Sequence, residues 1–203
     1  MKRFLTLSLF SALTFAGCAT RQGVDFEESA RLLGRENDVR VDAQISTMDV
    51  GAGSSVSIVY EVENLREAPI AIADLVPEVS YDPETGIITV LLGSEVPGNQ
   101  LLPRLDVVRP GERKAFRAGS NLGLGTAARR NPRSIRIRLS YLKEVEPFGQ
   151  LLDMEEKALY DPELADALFL PWVENVQFVT TNEIPLNWTK RLQPPANPLP
   201  GRD

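Results

Sequence analysis

The sequence predicts an all-β fold, an antiparallel β-sandwich carrying one short helical insertion. Three observations predict it. Apolar and polar residues alternate along several segments, most clearly where Ile135, Ile137, Leu139 and Tyr141 interleave with Arg136, Arg138 and Ser140. A period of two sets one face of a strand in a core and the other in water. Turn chemistry punctuates these segments: Asp82-Pro83-Glu84-Thr85-Gly86, Pro97-Gly98-Asn99 and Pro110-Gly111-Glu112 join Asp, Asn, Pro and Gly in orders that suit tight reversals. Finally, 43% of the 203 residues are hydrophobic and 25% charged. A domain of about 150 residues buries roughly two-thirds of its unfolded surface and needs no disulfide or metal to fold.

The elements follow in order. Residues 19–37 are expected to be a tether with a short helix, because Asp25 and Glu28 have capping-box spacing, Leu32-Leu33 follow, and Gly34 suits a left-handed stop. Val39, Val41, Ala43 and Ile45 then open a strand, and Val56, Ile58, Tyr60 and Val62 a second, with a turn over 64–69. Residues 70–76 and 78–81 are short strands separated by Pro77, which cannot donate to a central ladder and marks an edge or a bend. Residues 87–92, 101–108, 113–118 and 135–141 are further strands, with a long Gly-, Asn- and Arg-rich loop over 119–134. Between Leu151 and Leu170 the period turns helical. Asp153 and Glu156 form a second capping box there, Asp161-Pro162 marks a fresh start, and Leu164 and Leu168 supply an apolar stripe. Residues 173–180 and 184–189 return to strand, with Trp172 and Trp188 as packing residues, and Pro194, Pro195, Pro198 and Pro200 make an extended tail.

Composition closes off much chemistry. With no His and a single Cys, the chain has no Ser-His-Asp or Cys-His nucleophile system, no His-built metal site and no internal disulfide. No cofactor is expected. A formal charge of −6 and 7% aromatic residues speak against nucleic acid as a partner.

At the N-terminus, Lys2 and Arg3 precede an apolar run over 4–15 that is too short to span a bilayer, and Ala16-Gly17-Cys18 follows. This arrangement resembles the signal peptide and lipobox of bacterial lipoproteins, with Phe15 where that family usually has Leu. The resemblance implies cleavage after residue 17 and acylation of Cys18, and Ala19 in place of Asp implies the outer membrane, facing the periplasm. The expected organisation is a signal peptide over 1–17, a lipidated tether over 18–37, a β-sandwich over 38–191 with its helical insertion near 151–170, and a Pro-rich tail over 192–203.

Two further motifs bear on the fold. Val59-Tyr60-Glu61-Val62-Glu63-Asn64 is a strand ending in Asn before a short turn, and Val108-Arg109-Pro110-Gly111-Glu112-Arg113 is a Pro-Gly-Glu hairpin ahead of a strand. Together they resemble segments of bacterial immunoglobulin-like domains over residues 39–145. The resemblance implies an envelope adhesion, assembly or inhibitor module.

Charge segregation is the strongest functional signal. Eleven basic residues lie between Arg104 and Lys143 against Asp106 and Glu112 alone, so that stretch carries +9 in a chain that is otherwise acidic. Arg129, Arg130, Arg133, Arg136 and Arg138 cluster at its end, and guanidinium groups so placed suit a phosphate or carboxylate partner. The opposing reading pairs these arginines with Glu61, Glu63, Glu67 or Glu84 across the sheet, with no further role. The acidic groups Asp153, Glu155, Glu156 and Asp161, Glu163, Asp166 sit at expected helix starts, where negative charge is favoured without a catalytic role. Gly119 to Gly125 lacks the Lys-Ser/Thr ending of a phosphate loop.

The leading expectation is therefore a non-enzymatic, lipid-anchored envelope module that contacts an anionic glycan, lipid or protein through its Arg-rich loop and strand. An inhibitor or chaperone-like module acting through a loop or sheet edge is the alternative. A carboxylate-based glycosidase is the third, and it requires two carboxyl groups facing each other in a cleft.

Overall fold

Inward-facing alternation builds two sheets on a shared core. The computed structural model describes residues 30–46, 49–51, 55–73, 75–93, 100–122, 132–152 and 154–189, and it is mostly β. In chain order the strands begin with β1 (Arg31–Glu36), β2 (Val39–Ile45), β3 (Asp49–Gly51), β4 (Ser55–Asn64) and β5 (Ile70–Ala73). Next come β6 (Glu78–Asp82), β7 (Ile87–Leu92), β8 (Leu101–Pro103), β9 (Leu105–Val108), β10 (Arg113–Asn121) and β11 (Ser134–Leu142). A 3-10 helix (Glu146–Leu151), β12 (Ala158–Tyr160) and α1 (Pro162–Asn175) precede β13 (Val176–Thr180), β14 (Ile184–Pro185) and β15 (Asn187–Thr189).

The first sheet runs β1-β2-β4-β10, antiparallel throughout. The second is organised around β11. Along one edge β11 pairs with β7 over Ser134–Leu139 and then with β5 at Leu142, while β13 and β14 occupy its other edge. Outside these, β6 pairs with β7 and β9 with β5. Two small ribbons, β8 with β12 and β3 with β15, complete the pairing among the described residues. The expected antiparallel arrangement holds for most pairs, but β7 lies parallel to β11 and β15 parallel to β3.

Val41, Ile58 and Val62 of the first sheet and Val90, Ile137 and Leu139 of the second belong to one buried cluster, so the two sheets pack face to face. At one corner they are also stitched together: Asn182 N–H donates to the Leu33 carbonyl at 2.8 Å, and Thr180 N–H to Glu36 Oε1 at 3.1 Å. Gly34 permits that approach, since a Cβ there would sit 2.6 Å from the Thr180 carbonyl oxygen.

A second, smaller core forms on the outward side of the second sheet. Ala71, Ala73, Leu105 and Leu142 are covered there by Phe148, Leu151, Leu168 and Trp172. Helix α1 starts where Asp161, in extended conformation, accepts from Leu164 N–H at 3.0 Å, with Pro162 in the first turn. Phe148 and Trp172 meet edge to face, with ring centroids 5.3 Å apart.

Several expectations are overturned. The helix expected within 19–37 is a strand where the structure describes it: Leu32 is buried in the main core, Arg31 and Leu33 face outward, and Asp25 and Glu28 lie outside the described residues. Gly34 is not a helix stop; the chain reverses instead at Asn37 and Asp38, both left-handed (φ 49° and 57°), as a two-residue hairpin turn demands. Glu155–Lys157 form a bend rather than a helix start, with Asp153 outside the described residues. Helix α1 extends to Asn175, past the expected change to strand at 173, even though Pro171 removes one of its backbone donors. Strand β10 continues to Asn121 through what the composition suggested was loop.

The two motifs that carried the immunoglobulin-like resemblance meet in space. Asn64 is fully buried; its amide donates to the Ala68 and Val108 carbonyls, both at 2.9 Å, and its Oδ1 accepts from Arg66 N–H at 3.0 Å. Gly111 N–H donates to the Asn64 carbonyl at 2.7 Å, Asn64 N–H to that of Glu112 at 3.0 Å, and Glu112 Oε2 accepts from Arg109 N–H at 2.7 Å. One side chain thus locks the β4–β5 turn to the β9–β10 hairpin.

Candidate functional site

Strand β11 alternates as its sequence demands. Ile135, Ile137, Leu139 and Tyr141 enter the core, and Arg136 and Arg138 stand on the outward face, about 7 Å apart by strand geometry. Register places Arg136 beside Thr89 and Arg138 beside Leu91 on β7, with Thr180 of β13 opposite Arg138. Arg136 Nε donates to Thr89 Oγ1 at 3.1 Å, and its Nη1 lies 3.5 Å from Glu183 Oε1. Glu183 Oε2 also accepts from Ser134 Oγ at 3.0 Å. The Arg138 guanidinium stacks 3.9 Å above the Phe178 ring, a cation–π contact that orients it.

Arg133 is exposed where the chain enters β11. Its aliphatic stem lies against Gly86, whose positive φ of 76° closes the β6–β7 turn, and its N–H donates to the Gly86 carbonyl at 2.8 Å. In that turn Asp82 accepts from Thr85 Oγ1 at 2.7 Å and from Glu84 N–H at 2.9 Å. These bonds hold the Asp82 carboxyl below its ordinary value, with a smaller contribution from the charge of Arg136. Arg129, Arg130 and Cys18 lie outside the described residues.

The basic stretch does not form one patch. Strands β10 and β11 belong to different sheets, so the fold divides its charges. Arg113 on the first sheet pairs with Glu61 at 3.5 Å and Glu63 at 3.1 Å. Arg40 joins Asp42 and Glu63, and Arg31 grips Asp42 with two donors. Three arginines and three carboxylates therefore neutralise one another across four strands. Lys114 pairs with Asp106 at 2.7 Å. Arg136 and Arg138 remain side by side on the second sheet, while Arg133 lies at the entry to β11 against the β6–β7 turn.

Their surroundings explain why they stay accessible. Among the described residues, the outward side of that sheet is roofed by α1 and the 3-10 helix over β5, β9 and the end of β11 alone. Arg136 keeps 37% of its side-chain surface, and Ser80 and Glu78 on the neighbouring β6 are exposed. Phe178, Glu183 and Thr89 were not singled out by sequence reasoning. Phe178 carried a weak signal in its strand alternation, but Glu183 carried none, since only pairing of β13 and β14 with β11 brings it to Arg136.

Of the acidic groups considered for a glycosidase, Asp161 caps α1 and Glu163 lies in its first turn. Asp42 and Glu61 are adjacent and buried, but both are engaged by arginine. Among the described residues no cluster of three metal-ligating side chains occurs, and no helix is long and apolar enough to cross a membrane. Comparison with known proteins returns no family model, no curated protein and no solved structure that matches this chain.

Proposed function

We propose that the protein is a non-catalytic binding module of the bacterial cell envelope, anchored through an acylated Cys18 and built as an immunoglobulin-like sandwich. It engages an anionic partner, a phosphate- or carboxylate-bearing glycan, lipid or protein surface, through Arg133, Arg136 and Arg138, with Arg129 and Arg130 in the preceding segment. The observation that carries this reading is the placement of Arg136 and Arg138 side by side on the unroofed half of a sheet face, one of them held flat by Phe178. Orienting a guanidinium on an aromatic ring lowers the entropy lost when it grips an oxyanion.

The test is retention of the purified protein on envelope fractions across a salt series. Binding is expected to weaken steeply with ionic strength and to fall by about tenfold or more in the Arg136→Glu, Arg138→Glu double variant. Indifference to both changes would remove this face from consideration. A second reading draws on β10, the terminal strand of the first sheet among the described residues and nine residues long. An extended partner segment could add there, as in inhibitor or chaperone-like modules. Salt-insensitive binding that survives charge reversal on β11 would favour that edge.

A further inference from the structure

A different end of the molecule carries an independent site. The β1–β2 turn, the β4–β5 turn and the end of β11 converge around a solvent-open depression of about 480 Å³. Its walls bring together Asn37 and Asp38, Arg66 and Glu67, and Lys143, with Tyr141 at its floor. Tyr141 is 2% exposed, and its hydroxyl has no hydrogen-bond partner. A buried phenol without a partner forfeits the bonds it made to water in the unfolded chain. Natural interiors keep few such groups.

What is missing is defined by what is present. The phenol offers an O–H with nothing to accept it. Arg66, on the same wall, brings positive charge to bear on it. Arg66 and Lys143 supply two cations; Asp38 and Glu67 supply two anions on the facing turns. Asp38 shares only a 3.4 Å contact with Arg35 between two largely exposed side chains. The Asn37 amide donates to Gln177 Oε1 at 3.0 Å. The four charged side chains of the lining sum to zero, and the Tyr141 hydroxyl adds a polar group to them. Both turns are rigid: Asn64 clamps the second from beneath, and Leu65 N–H donates to the Asp38 carbonyl at 2.8 Å, tying one turn to the other.

We infer that this depression binds a small zwitterion of about dipeptide size. Its carboxylate is held by Arg66, Lys143 and the Tyr141 hydroxyl, and its ammonium by Asp38 and Glu67. A rotamer change of Asn37 or Arg66, both on surface turns, opens the path to the hydroxyl. The volume lies within the range of small-molecule sites, and convergent polar groups over a preformed floor are their usual construction. The site lies about 16 Å along β11 from Arg136, so its occupancy is separable from the arginine face.

The experiment is a titration of the full-length protein with dialanine, followed by amide chemical shifts, with N-acetyl-dialanine and dialanine amide as blocked analogues. Dialanine should move the amides of residues 37–38, 66–68, 143 and 177 saturably. Each blocked analogue should bind about tenfold more weakly, as loss of one charge-assisted contact implies. Tyr141→Phe and Arg66→Ala should each weaken dialanine by about tenfold while the remaining spectrum stays that of the folded protein. The inference is overturned by the absence of saturable shifts up to about 50 mM ligand, by equal binding of either blocked analogue, or by wild-type affinity in Tyr141→Phe.

Discussion

Tyr141 shows how one atom can be at odds with the core that holds it. Its ring belongs to the main hydrophobic cluster, while its hydroxyl is buried without a partner. Burial pushes the phenol above its ordinary value, with the positive charge of Arg66 pulling the other way. The unfolded chain releases this proton near pH 10, before the folded chain does. Stability from this group is therefore complete below about pH 10 and lost as pH rises through the raised folded value. Tyr141→Phe is expected to be as stable as wild type at pH 7, or more stable by up to about 1 kcal/mol, because it removes a polar atom that nothing satisfies. Between pH 10 and 11 its urea midpoint should fall less than that of wild type. A destabilised variant at pH 7 would show that the hydroxyl does hold the fold.

At the scale of elements, the reversals decide how strands meet. The β4–β5 turn and the β9–β10 hairpin are far apart in sequence, and Asn64 binds both with its backbone and its amide. Asn64→Ala leaves three buried or half-buried backbone groups without partners. It should cost about 2–4 kcal/mol, read as a lower urea midpoint at unchanged slope. A cost under about 0.5 kcal/mol would mean that the two turns are set by their own backbones. These turns were legible in advance, because Asp, Asn, Pro and Gly act through local geometry. The strand β1 was not. Its Leu-Leu-Gly pattern satisfies a short helix as readily as a strand, and what selects the strand is a partner: β2 on one side and the β13 corner on the other. The arginines show the same division. That Arg136 and Arg138 share the outward face followed from alternation, whereas Glu183, Thr89 and Phe178 reach them through strand pairings that no local pattern encodes.

Across the whole molecule, the governing feature is that one face of the second sheet is half roofed. Trp172 closes the small core that α1 lays on β5, β9 and the end of β11, and it is fully buried. Trp172→Ala should destabilise the fold by about 3–5 kcal/mol, measured by chemical denaturation, and expose Ala71, Leu105 and Leu142 to a hydrophobic dye. A loss under about 1 kcal/mol would show that α1 is an appendage rather than part of the core. By itself the sequence determined the β class, most strand centres, the turns and the Asp161 helix start, because alternation, propensity and capping act over a few residues. Only the tertiary structure decided that a continuous basic stretch is shared between two sheets, that six charges neutralise one another on the first, and that two turns and the end of β11 enclose a polar hollow over Tyr141. Those outcomes rest on which strands lie side by side, and pairing between distant segments is set by the burial of their inward faces, whichever outward side chains that happens to bring together.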